Sequence, residues 1–207
     1  MRPGRLAAVV AVSLVVLAGC DFGEPAARSA PSPAPAPATS SAPAEPADDY
    51  APPRFAGHVR THAKAAGVNP VLLMAILYNE WYKPHDPDLE RAWQKLDPNA
   101  AFGVANMHKA AFDDTKQGRS FADRDWTELP DDPDLAIEAA AWYLHDLRAG
   151  LSTSDTKYSR DDLLGVGYNA GPGHMAAVAA GERPNAGASS YVAQLHENWR
   201  RARQALR

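Results

Sequence analysis

The chain carries 18 prolines, and nine of them fall between Pro25 and Pro53. Proline has no amide hydrogen to give to a helix or a sheet ladder, and its ring fixes φ at about −65°. Pro31-Ser32-Pro33-Ala34-Pro35-Ala36-Pro37 alternates proline with small residues, and Asp21 to Pro53 holds few large apolar side chains. Such a segment cannot bury enough apolar surface to offset the entropy of ordering it. Residues 20–53 are therefore predicted to be an extended, polyproline-like linker, with a reach of about 100 Å when fully stretched at roughly 3 Å per residue. The folded part is predicted at residues 54–207, long enough for one domain with one core.

Residues 1–19 read as an export signal. Arg2 and Arg5 give a positive start, and Leu6 to Leu17 form an apolar run. The run is too short for a stable transmembrane helix and suits a signal-peptide core. It ends in Leu17-Ala18-Gly19-Cys20, which resembles the bacterial lipobox, where the signal is cut before the cysteine and the thiol carries a lipid. Cys20 is the one cysteine of the chain. That makes it the expected lipidation site and excludes both an intrachain disulfide and a cysteine-rich zinc site. The expected location is the cell envelope, with the chain anchored by several acyl chains on the outer face of the cytoplasmic membrane.

Charge narrows the choice of partners. From Arg54 onward there are 18 Lys and Arg against 20 Asp and Glu. A weakly acidic domain without a basic face argues against nucleic acid. The run Trp199-Arg200-Arg201-Ala202-Arg203 could touch anionic polymers or lipid headgroups, but positive charge also suits a helix C-terminus facing water.

Punctuation from Arg54 onward is helical. Arg54 to Ala66 closes at Gly67, a residue type favoured just past a helix end. Asn69-Pro70 is a cap followed by proline at the first helical position, opening Val71 to Tyr82 ahead of Pro84. Asp132-Pro133 repeats the signal before Asp134 to Ala149, where Ile137, Ala140, Ala141, Leu144 and Leu147 recur at three- and four-residue steps. Ser159 and Asp162 form a capping-box pattern. A final helix is predicted from about Ser189 to Arg207. No alternating strand pattern of useful length appears, so the expected fold is mainly α.

Leu73, Ile76, Leu77 and Glu80 continue one stripe of a nearly all-apolar helix. Burial disfavours an ionised carboxyl, and a proton held near neutral pH is what a general acid needs. A helix-end glutamate can equally turn out to solvent or pair with Lys83. His58 and His62 stand four apart, as metal ligands can, but the zinc-protease glutamate is missing between them and no third ligand is evident. No metal is therefore expected. Tyr168-Asn169-Ala170-Gly171-Pro172-Gly173 follows directly on a helical pattern. Its glycines and proline read as a helix stop, which leaves Tyr168 and Asn169 unexplained.

Together these pieces resemble the lysozyme-like domain of soluble lytic transglycosylases, from about Ala65 to Leu195. Gly67-Val68-Asn69-Pro70, then Leu72 to Ile76 and Glu80, resemble the helix that carries the family's catalytic glutamate. Ala101-Phe102-Gly103-Val104-Ala105-Asn106 resembles its Ala-x-Gly-Leu-Met-Gln motif. Trp142-Tyr143-Leu144 with Leu147 resembles a Tyr-Leu-x-x-Leu pattern. The hexapeptide from Tyr168 to Gly173 matches the family's Tyr-Asn-Ala-Gly-Pro-Gly without change, and Tyr191-Val192 resembles its late Tyr-Val pair. The chain departs at Trp81, where serine is usual, at Ala105 and at Asn106. The long spacing from Glu80 to Gly103 predicts an extra helical piece near Asp88 to Leu96.

The resemblance implies a monomeric lysozyme-like enzyme that cleaves peptidoglycan glycan strands at the MurNAc-GlcNAc β-1,4 bond and leaves 1,6-anhydroMurNAc ends, without metal or organic cofactor. It implies Glu80 as the single general acid and base, oriented by a hydrogen bond from Tyr168. Asn106, Asn169 and the backbone near Gly103 would contact the sugar, and Tyr191 would line the cleft. Two other classes fit the same residues. One is a hydrolytic muramidase resembling goose-type lysozymes, with Asp86, Asp88 or Asp97 as base. The other is a non-catalytic wall-binding lipoprotein.

Overall fold

The computed structural model describes residues 49–82, 85–97, 99–151 and 157–207. The export signal, Cys20 and nearly all of the predicted linker lie outside the described residues, as does Lys83. The fold is mainly α. After a short 3-10 turn, Pro52–Phe55, come α1 (Ala56–Ala66), α2 (Pro70–Glu80), α3 (Pro87–Gln94), α4 (Lys109–Thr115), α5 (Pro133–Ala149), α6 (Arg160–Ala179) and α7 (Ala186–Ala205). Among the described residues no helix is long and apolar enough to cross a membrane.

The predicted caps form. The Asn69 side chain accepts from the Val71 amide at 3.0 Å, with Pro70 at the first helical position. Asp132 opens α5 by accepting from Leu135 at 3.0 Å. Ser159 and Asp162 exchange two bonds in a full capping box at the start of α6. Gly67 closes α1 at φ 66°, and α5 takes up the last carbonyls of that helix, with His145 on Ala66 O at 2.8 Å and Arg148 on Gly67 O. α7 starts three residues before the predicted Ser189, because the Asn185 side chain caps it through the Ala188 amide. α2 ends at Glu80, short of the predicted Tyr82: Trp81 still donates to Leu77 O, but its own ψ of 26° leaves the helix.

α2 is the centre of the molecule. Every residue from Leu72 to Asn79 is buried, and the helix lies against α1 on one side and α7 on another. α1 also packs on α5, and α6 bridges α5 and α7. Each fully buried Leu, Ile or Met of α2 is worth about 1.5–3 kcal/mol relative to exposure. This helix therefore has little freedom to move, and a side chain at its end has a fixed origin.

Two further features differ from the sequence expectation. The first is a short antiparallel ribbon, β1 (Ala101–Phe102) and β2 (Met107–His108). Strands of two residues are too short to show alternation. The turn between them has Gly103 at φ 75° and Asn106 at φ 49°, with the Asn106 amide donating to Gly103 O at 2.9 Å. A Cβ at Gly103 would stand 2.7 Å from the carbonyl oxygen of Leu129, so only glycine fits. The second is at Gly171, where the predicted helix stop is a break inside α6. Gly171 adopts φ 83°, ψ 165°, and helical geometry resumes at Pro172. Proline needs no amide partner at the start of a helix, so the second segment starts at no cost.

Candidate functional site

Glu80 is the last residue of α2, and it stands half-buried where two cavities meet. The larger is an open cleft of about 400 Å³ lined by Asn79, Tyr82, Asn106, His108, Tyr168, Asn169, Tyr191 and Gln194. It abuts a further groove of about 590 Å³ that shares Asn106, His108, Tyr168 and Asn169 with it. Amides, phenols and an imidazole suit a ligand rich in hydroxyl and amide groups. Among the described residues lining the cleft, Glu80 is the one carboxylate.

Both carboxylate oxygens of Glu80 are held. The Tyr191 hydroxyl donates to Oε1 at 2.6 Å, and Asn106 Nδ2 donates to Oε2 at 2.9 Å. Tyr191 comes from α7 and Asn106 from the ribbon turn, so two separate elements close on the end of α2. The left-handed backbone of Asn106 aims its amide at the glutamate, a conformation that asparagine tolerates better than most residues.

The structure brings Glu80, Asn106, Tyr168, Asn169 and Tyr191 to one cleft, and it corrects one expected role. The Tyr168 hydroxyl donates to the backbone oxygen of Ala105 at 2.6 Å, not to Glu80. Tyr191 reaches the glutamate instead, because α7 lies alongside α2. Tyr168 fixes the turn that carries Asn106. Burial first, and then the negative charge of Glu80, push both phenols well above their usual range, so each remains a neutral donor. Asn169 is exposed on the cleft wall. Gly103 lines the smaller pocket, and its amide donates to Glu90 Oε2 at 2.8 Å.

That smaller pocket, about 20 Å³, is lined by residues that the sequence reading missed. His85 is hydrogen-bonded to Glu90 at 2.7 Å and to the Pro130 carbonyl at 3.0 Å. The pair is almost wholly buried, with side chains 6% and 12% exposed. Through Gly103 it ties α3 to the ribbon turn, while Trp126 Nε1 holds the other strand by donating to Met107 O at 2.9 Å. Glu90 had no distinguishing mark in a surface-like helix sequence. Asn79, also missed, did carry a signal: it is the one amide in the apolar run before Glu80. It donates to Tyr191 O at 3.0 Å and accepts from Asn198 at 2.9 Å, which fixes α7 beside α2.

Trp81 lies at the smaller pocket, with the Arg201 guanidinium 5.8 Å from its ring and 4.5 Å from that of Tyr78. One arginine of the basic run thus helps hold α7 on α2. Asp86 caps α3 at Leu89, Asp88 pairs with Arg91, and Asp97 accepts from the Asn99 amide at 3.0 Å. None of the three lines either cavity at Glu80.

No family model matches the chain, and a search of curated proteins finds no match.

Proposed function

We propose that this chain is a peptidoglycan lytic transglycosylase, with Glu80 as both general acid and general base. The observation that carries the reading is the Glu80 carboxylate, fixed at the end of a buried helix by Tyr191 and Asn106, as the one described carboxylate lining its polar cleft. Glu90 in the smaller pocket is bonded to His85 and the Gly103 amide, and Asp114 and Asp146 line the adjoining groove. Two-carboxylate glycosidases need a second acid as nucleophile or base. One suffices if the substrate supplies the other group.

In this reading a glycan strand lies along the cleft with its glycosidic oxygen at Glu80. Glu80, a carboxylate under its two donors, must first take up a proton, and it gives that proton to the leaving oxygen as the C–O bond breaks. The N-acetyl group of the muramic acid sugar assists departure by bonding to the anomeric carbon. Glu80, now a carboxylate with both oxygens satisfied by Tyr191 and Asn106, takes the proton of that sugar's own 6-hydroxyl. The freed oxygen attacks the anomeric carbon, displaces the N-acetyl oxygen and closes the 1,6-anhydro ring. Glu80 ends protonated, ready for the next bond. Asn169 and His108 stand on the cleft wall where sugar hydroxyls would lie. Cys20 would place the domain above the membrane on its linker, within reach of the wall.

The test is digestion of purified peptidoglycan with mass spectrometry of the released fragments. The expected products carry anhydro ends, and Glu80→Gln lowers their release by about 10²–10⁴-fold or more, since acid–base assistance is worth that much at one step. Reducing ends would make the protein a hydrolytic muramidase, whose water-activating base Asp86, Asp88 or Asp97 would have to leave its present partner. No release by the wild type would leave a glycan-binding protein. Wild-type turnover by Glu80→Gln would remove the catalytic assignment.

A further inference from the structure

The histidine pair on α1 gains a third partner from a distant part of the chain. His58 and His62 are one turn apart on the same face of α1. Asp134, in the first turn of α5, lies against both: His62 Nε2 is 2.7 Å from its Oδ1, and His58 Nδ1 is hydrogen-bonded to the same oxygen. Asp134 is 72 and 76 residues from the two histidines, beyond the reach of any local motif. The three donor atoms lie within 4.8 Å of one another.

We propose that His58, His62 and Asp134 bind a divalent transition-metal ion of the zinc type and clip α1 to α5. Two imidazoles and a carboxylate are the donor set of borderline ions such as zinc, and magnesium and calcium call for more oxygens. Ligand distances of about 2.0–2.2 Å put tetrahedral donors about 3.3 Å apart. The present spacing reaches that with small side-chain rotations, and His58 and Asp134 are free to make them, with side chains 49% and 51% exposed. His62, at 13%, is the fixed member. Water completes the shell from the open side. The amide end of α5 disfavours a cation there, and the carboxylate's own charge offsets this. The proposal is independent of the reaction at Glu80.

The test is calorimetric titration of the untagged full chain with zinc chloride, followed by melting curves in zinc and in EDTA. The expected result is one saturable zinc per chain. The melting temperature should rise with zinc, the unfolding constant falling about 100-fold when free zinc is 100 times Kd. Cobalt(II) in place of zinc should give visible bands of a four- or five-coordinate ion. His58→Gln and Asp134→Asn should each weaken zinc binding at least tenfold. His58 is exposed, so its variant should melt in EDTA at the wild-type temperature and by itself decides the outcome. Absence of saturable zinc binding, or wild-type affinity in His58→Gln, overturns the proposal.

Discussion

Tyr191 and Tyr168 lie within one cleft, yet their hydroxyls do different things. Tyr191 donates to a carboxylate, Tyr168 to a backbone carbonyl. A hydrogen bond to a charged partner is worth about 1.5–3 kcal/mol, against about 1 for a neutral pair. Tyr191→Phe is therefore expected to slow turnover on glycan strands by roughly 10- to 100-fold, with circular dichroism unchanged. Tyr168→Phe should show first as a lower melting temperature, because it loosens the turn below Asn106, and only then as a modest rate loss. Equal rate losses would mean that Tyr168 also bears on Glu80 directly. Glu80 itself was legible: a carboxylate continuing an apolar stripe stands out against 3.6-residue periodicity. Which tyrosine reaches it was not, because that depends on how α7 lies on α2, and sequence spacing carries no such distance.

At the scale of elements, boundaries set by local chemistry were readable and those set by remote packing were not. Asn69, Asp132 and Ser159 cap from within four residues, so their sequence patterns suffice. The ribbon of β1 and β2 depends on Leu129, Trp126 and Glu90, which lie elsewhere in the chain. The motif at Gly171 falls between the two. Its proline and glycines announce a break, but whether a helix follows depends on the chain beyond. Gly171 sits at φ 83°, ψ 165°, a region essentially restricted to glycine. Gly171→Ala should cost about 1–3 kcal/mol in a urea melt although nothing stands within 4 Å of the added methyl. Gly173→Ala, with equally open space and helical backbone, should be neutral or stabilising by up to about 1 kcal/mol. If the two variants melt alike, backbone conformation is not what selects the first glycine.

For the whole molecule, the proposed function needs a domain held near its substrate. Cys20→Ala is expected to release the protein from the membrane fraction or to stall its processing, read by fractionation and immunoblotting. Detergent-requiring membrane association that persists in this variant would remove the lipid-anchor reading. The domain itself is assembled from remote pieces: Glu80 takes its two hydrogen bonds from residues 26 and 111 positions further along the chain. A ribosome therefore makes the carboxylate early and its orienting hydroxyl late. Nascent chains, and chains clipped by a protease before α7, hold the glutamate without the helix that aims it. Under the proposed function, the activity would stay silent throughout biosynthesis and first appear when α7 docks.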